Sequence, residues 1–169
     1  MPAPYDGRLI ANLVLDLGDR ASVSVTQMVL LKIIYFSHGW YLARTGSPFI
    51  RQQFEAWKYG PVVKVVRDSF KDFGAKPITT RAKKLNIFSN EFEEIVEDVE
   101  AQDLAHVEAM FRAYSRYNAW ALSDMTHEQG SPWDEVWNSA EPIGRLGMRI
   151  RNEDIQSHFV ARLGQGMIS

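Results

Sequence analysis

The chain contains no cysteine, which excludes a disulfide framework and a thiolate zinc site and fits a cytoplasmic setting. It also lacks a long apolar run. Its most hydrophobic stretch, Met28 to Leu42, is interrupted by Lys32, Ser37 and His38 and falls short of the ~20 apolar residues that a membrane span requires. The opening segment MPAPYDGRLIANLVLDLGDR has neither the charged start nor the unbroken apolar core of a signal peptide, so secretion is not expected. Gly-x-x-x-x-Gly-Lys, Gly-x-Gly-x-x-Gly and Gly-x-Ser-x-Gly are all missing. Ser37-His38 and Ser123, Asp124 and His127 supply the residue types of a hydrolase, but neighbours on a helix face apart and no nucleophile turn holds them. His38, His106, His127 and His158 make no pair at i, i+4. No metal, no cofactor and no catalytic residue is expected.

What is present is an uneven charge distribution beneath a net charge of −2. Residues 58–84 hold eight Lys or Arg against Asp68 and Asp72, whereas residues 85–111 hold eight acids and no Lys or Arg. A polarised surface is expected, suited to steering a charged partner. The 169 residues suffice for one domain that buries roughly two-thirds of its unfolded surface without crosslinks. No repeat or linker divides the chain, so a single domain over 1–169 is expected.

The elements follow from periodicity. Leu9, Ile10, Leu13, Val14 and Leu17 share a helical face from about Asp6, and Gly18 is expected to end that helix. Thr26 suits the N-cap of a second helix running to Arg44. This helix is apolar nearly all round and so should be enclosed by others. Gln53 to Tyr59 reads as extended, with Phe54 and Ala56 on one side and Trp57 and Tyr59 on the other. Pro61 is expected at the first position of a helix whose stripe is Val62, Val66, Phe70 and Phe73. Leu85 to Phe88 is a candidate strand partner for Phe54 to Trp57, and Glu91 to Glu100 reads as an acidic helix. Further helices are expected from Asp103, from an Asn118 cap, from Ser131-Pro132 and from an Asn152 cap. His38 should be a packed core histidine, while His127 should cap a helix end or pack on Trp133. The fold class is mostly α: a compact helical fold with at most a small two-stranded β element around 53–59 and 85–88.

Three motifs in this order carry a resemblance: Leu30-Leu31-Lys32-Ile33-Ile34-Tyr35; Phe54-Glu55-Ala56-Trp57-Lys58-Tyr59-Gly60-Pro61-Val62; and Leu122-Ser123-Asp124-Met125-Thr126-His127 followed by Pro132-Trp133. The chain resembles the Panacea domain, also called the SocA-like or phage-associated antitoxin family. The resemblance implies a mostly helical, non-enzymatic antitoxin that binds a cognate protein toxin. One type in the family is similar to a proteolytic adaptor that hands its toxin to the protease ClpXP. Contact is expected from Trp57, Tyr59, Lys64, Arg67 and Lys71, with Gly60, Pro61, Thr126, His127, Pro132 and Trp133 framing the site. The alternative is a nucleic-acid-binding regulator using the basic segment 58–84.

Overall fold

The computed structural model describes residues 2–139 and 148–165. The fold is mostly α-helical. Asp6 caps α1 (Gly7–Ala21) by accepting a hydrogen bond from the Arg8 amide, and Thr26 caps α2 (Gln27–Thr45) by accepting from the Val29 amide. Every residue of α2 from Leu30 to Trp40 is buried, as a helix without a polar face must be. It is packed by α1, by α4 (Ala101–Tyr114), by α5 (Ala119–Thr126) and by α7 (Asn152–Leu163). The closest approach is at Gly39, where an added Cβ would stand 2.2 Å from the Phe159 ring of α7.

Between these helices lie β1 (Phe54–Trp57), β2 (Gly60–Val62), α3 (Lys64–Phe70), β3 (Lys83–Asn86) and β4 (Glu91–Glu94). After α5 come α6 (Pro132–Ser139) and β5 (Met148–Ile150). One antiparallel sheet has the order β2-β1-β5, and β3 pairs with β4 in a separate hairpin. As the alternation requires, Phe54 and Ala56 are buried while Trp57 is half-buried and Tyr59 exposed. Asn118 caps α5, and Ser131 Oγ accepts from the Asp134 amide at the start of α6, with Pro132 in its first position.

Five expectations are corrected. Gly18 lies inside α1, which runs on to a left-handed Ser22 at φ 54°. A Cβ on Gly18 would meet the Val23 carbonyl and the Val25 side chain at 2.9 Å, so this glycine serves the returning chain rather than a helix stop. Pro61 is in β2, opposite Ala56, and the helix starts only at Lys64. Since β2 is an edge strand, the missing N–H is tolerated there. The strand around 85 pairs with β4, not with β1, whose partners are β2 and β5. The acidic segment is strand at 91–94 and irregular at 95–100. As a helix it would set Glu93 against Glu97 and Glu94 against Asp98 at i, i+4, whereas the hairpin sets Glu94 opposite Lys83 and Glu93 opposite Lys84. Asn152 is the first residue of α7 rather than its cap; its side chain is 2.9 Å from His38 Nε2.

The cross-strand pairing also changes the expected polarised surface, because Lys83 and Lys84 at the end of the basic block stand opposite Glu94 and Glu93 of the acidic one. Among the described residues, no helix is long and apolar enough to cross a membrane.

Gly39→Ala is expected to lower stability by about 1–3 kcal/mol through overpacking against Phe159, read as a lower urea midpoint. Phe159→Ala in the same background should give a non-additive loss, the signature of a shared contact.

Candidate functional site

The β1–β2 hairpin turns within two residues, Lys58 and Tyr59, because Trp57 pairs with Gly60. Gly60 takes φ 123°, a region open to glycine and hostile to other residues. Its Cα faces the interior so closely that a Cβ would lie 2.8 Å from both Lys32 Nζ and Thr126 Oγ1. The hairpin is fixed from behind by the α5–α6 region. Trp133 Nε1 donates to the Trp57 carbonyl at 2.7 Å, and Ser123 Oγ donates to the Tyr59 carbonyl at 3.0 Å. Thr126 Oγ1 in turn donates to the Ser123 carbonyl, and Ser131 Oγ donates to the Thr126 carbonyl. His127 stacks on Trp133 with ring centres 3.8 Å apart.

In front of the hairpin is a cavity of about 700 Å³ lined by Trp57, Tyr59, Arg67, Lys71, Trp120 and Lys32, among others. The Arg67 guanidinium lies over the Trp57 ring at 5.2 Å, and Tyr59 meets Trp120 edge to face at 5.7 Å. Lys58 Nζ is 5.3 Å from the Tyr59 ring centre. None of the described residues lining the cavity is acidic. The sequence-expected residues therefore separate into two groups. Trp57, Tyr59, Arg67 and Lys71 line the cavity. Thr126, Pro132 and Trp133 are buried behind the hairpin, together with Gly60 and Pro61 of β2. Lys64 is apart from the cavity, exposed and paired with Asp68 at 2.6 Å.

Sequence reasoning missed Lys32, Gln27 and Trp120. Lys32 had a visible signal, the one Lys, Arg, Asp or Glu in the buried run from Leu30 to Trp40. Its side chain is 1% exposed, and burial pushes its pKa down to about 7. Burial also lowers the pKa of His127, and the charge of Lys32 adds to the effect. The four histidines have separate surroundings, and no group of three or more metal-ligating residues occurs among the described residues. His38 accepts from the Ile50 amide at Nδ1, so Nε2 carries the proton and donates to Asn152 Oδ1. Burial holds its pKa down to about 4, which keeps this bridge neutral.

Fold and cavity define a mostly α-helical protein that presents a basic, aromatic cavity beside a tightly held hairpin. The family described as "Antitoxin SocA-like, Panacea domain" matches residues 30–134, and the chain belongs to it. Antitoxin SocA of Caulobacter vibrioides (strain NA1000 / CB15N) is 35% identical over 159 residues, spanning 94% of this chain and 84% of that protein. No solved structure matches.

A lysine whose folded pKa is about 7, against an ordinary 10.5, binds fewer protons in the folded than in the unfolded chain between those values. Stability attributable to this group therefore rises with pH across that window, and the full penalty applies below it. Lys32→Met should be more stable than the parent, by most near about pH 6 and by progressively less towards about pH 10. Urea midpoints across that range measure the narrowing gap; a constant gap would refute the assignment.

Proposed function

We propose that the protein is the antitoxin of a toxin and antitoxin pair and neutralises its cognate toxin by direct binding, without catalysis of its own. The observation that carries the reading is the convergence, in a member of an antitoxin family, of Trp57, Tyr59, Arg67 and Lys71 on one cavity. Aromatic and arginine side chains dominate binding energy at protein interfaces, and a surface of one charge sign speeds encounter with a complementary partner. In this reading Trp57, Tyr59, Lys64, Arg67 and Lys71 touch the toxin. Gly60, Pro61, Thr126, His127, Pro132 and Trp133 hold those residues in place. The exposed β3–β4 hairpin, with Ile87, Phe88 and Phe92 open to solvent, offers a second surface of the kind partners cover. The domain spans 1–169 and works in the cytoplasm, and delivery of the captured toxin to ClpXP completes the action.

The nucleic-acid alternative draws on the basic segment 58–84, but carboxylates meet much of that charge. Lys64 and Arg67 bond Asp68, Arg81 bonds Asp16 and Asp19, and Lys83 and Lys84 stand opposite Glu94 and Glu93. Phosphate binding requires strong weakening with salt. Titration with duplex DNA at low and moderate salt is expected to give no saturable binding; a steep salt dependence would favour the alternative.

Co-expression with the product of the adjacent gene tests the main reading. The parent chain should suppress toxicity and co-purify with that product, whereas Arg67→Glu with Lys71→Glu should lose both while keeping its thermal melt. Unchanged rescue by the double variant would refute binding through this face. Rescue that persists in cells lacking ClpX would separate neutralisation from proteolysis.

A further inference from the structure

Two buried polar groups on α2 have unmet hydrogen-bonding capacity at the same cavity. Lys32, 1% exposed, makes no hydrogen bond or ion pair among the described residues, although it lies in the cavity wall. Gln27 Oε1, five residues earlier, is buried without a hydrogen-bond partner, and Gln27 lines the same cavity. A buried ammonium without an anion is costly in a folded protein, and so is a buried carbonyl without a donor. The two needs differ in kind. Lys32 lacks an anion, and Gln27 Oε1 lacks an N–H.

The rest of the cavity narrows the ligand further. Trp57, Tyr59 and Trp120 supply aromatic surface, Arg67 and Lys71 repeat the positive charge, and no described lining residue is acidic. A volume of about 700 Å³ is that of a site for a compact organic ligand, far larger than a simple ion needs. An acidic residue within a peptide has all the matching parts: a carboxylate, a backbone N–H a few bonds away, and flanking side chains. Inorganic phosphate has the anion but neither an N–H nor an apolar flank; a nucleoside phosphate has donors and a ring, and is the rival that the test below includes.

We propose that the cavity receives an acidic segment of the partner protein, with one carboxylate side chain seated on Lys32. Its backbone N–H is met by Gln27 Oε1, and a neighbouring apolar or aromatic side chain packs against Trp57, Tyr59 and Trp120. Arg67 and Lys71 steer the segment to the mouth. The fold tolerates an unpaired lysine because the partner supplies its anion, so this inference rests on the protein-binding reading above. Lys32 contributes selection, since a neutral segment would leave the ammonium unpaired.

The test uses full-length protein labelled for lysine and tryptophan side-chain NMR. The probes are acetyl-Phe-Asp-Phe-amide, its Asn counterpart, inorganic phosphate and adenosine monophosphate. The Asp peptide is expected to shift the Lys32 and Trp57 signals saturably and to bind at least tenfold tighter than the Asn peptide. Lys32→Met should abolish that preference, and Gln27→Leu should weaken the Asp peptide while leaving the preference in place. Equal binding of the two peptides, no shift by either, or tighter binding of the nucleotide or phosphate would each overturn the proposal. Shifts that appear on raising protein concentration alone would also overturn it, by assigning the cavity to a second copy. Toxin rescue separates this inference from its foundation. Rescue intact in Lys32→Met but lost in Arg67→Glu with Lys71→Glu defeats the carboxylate seat alone, and rescue intact in both defeats the face as a whole.

Discussion

The structure depends on the enclosure of α2. A helix buried from Leu30 to Trp40 has no solvent face to give up, and α1, α3, α4, α5, α7 and β2 each cover part of it. Its buried Ser37 and His38 find partners in the helix itself or in those coverings, whereas Lys32 does not. The elements are tied to it in different ways. The Ser37 carbonyl accepts from His106 Nε2 and ties α4 to α2, and His106 Nδ1 in turn meets Arg44. His38 reaches Ile50 on one side and Asn152 on the other, joining the segment before β1 to the start of α7. Gly39 admits the Phe159 ring. A single helix thus sets the positions of elements that are far apart in the chain, and Lys32 is the one charged side chain in its buried stretch.

The hairpin depends on that helix at one remove. Gly60 packs on Lys32 and Thr126 because nothing larger than hydrogen fits there. The carbonyls of Trp57 and Tyr59 are held by Trp133 and Ser123. With the backbone of the turn gripped from within, the side chains of Trp57 and Tyr59 are left on the outward side. Preorganisation of this kind reduces the ordering cost of binding, because the aromatic surface is already in place when a partner arrives. His127, half-buried, stacks on the buried Trp133 beneath the turn, and neither lines the cavity.

How much of this was legible in the sequence depends on whether the signal was local. Thr26, Asn118 and Ser131-Pro132 announced helix starts because a cap acts within three residues, and the Phe54–Tyr59 alternation announced its buried and outward sides. The misread segments are those decided by distant partners. Pro61 has the local look of a helix start, but pairing with Ala56 made it an edge-strand residue. Glu91 to Glu100 has apolar spacing compatible with a helix, but the lysines that favour a strand lie about ten residues earlier in the chain. Asn152 has the chemistry of a cap but is bound to His38, 114 residues away. At the cavity, Trp57, Tyr59 and Arg67 were readable as an aromatic and basic cluster. Lys32 and Trp120 were not placed with them, since only packing brings α2 and α5 to the hairpin.

The charge blocks show how such long-range pairing reshapes function. Counted along the chain, a strongly basic segment precedes a strongly acidic one, and a dipolar molecule would follow. In the fold, β3 and β4 lay the end of one block against the start of the other, Lys83 opposite Glu94 and Lys84 opposite Glu93. Arg81 is drawn to Asp16 and Asp19 of α1. Of the basic block, Lys58, Arg67 and Lys71 line the cavity, where no described lining residue is acidic, although Arg67 also meets Asp68 beside it. Interactions between exposed charges fade beyond about 10 Å at 0.1 M salt, so a partner near the mouth is governed by these cations rather than by the net charge of −2. A slightly acidic protein can therefore present a locally basic cavity. In the proposed complex selectivity falls to the cation held out of water, because screening by salt reaches Arg67 and Lys71 at the mouth far more readily than Lys32 in the wall.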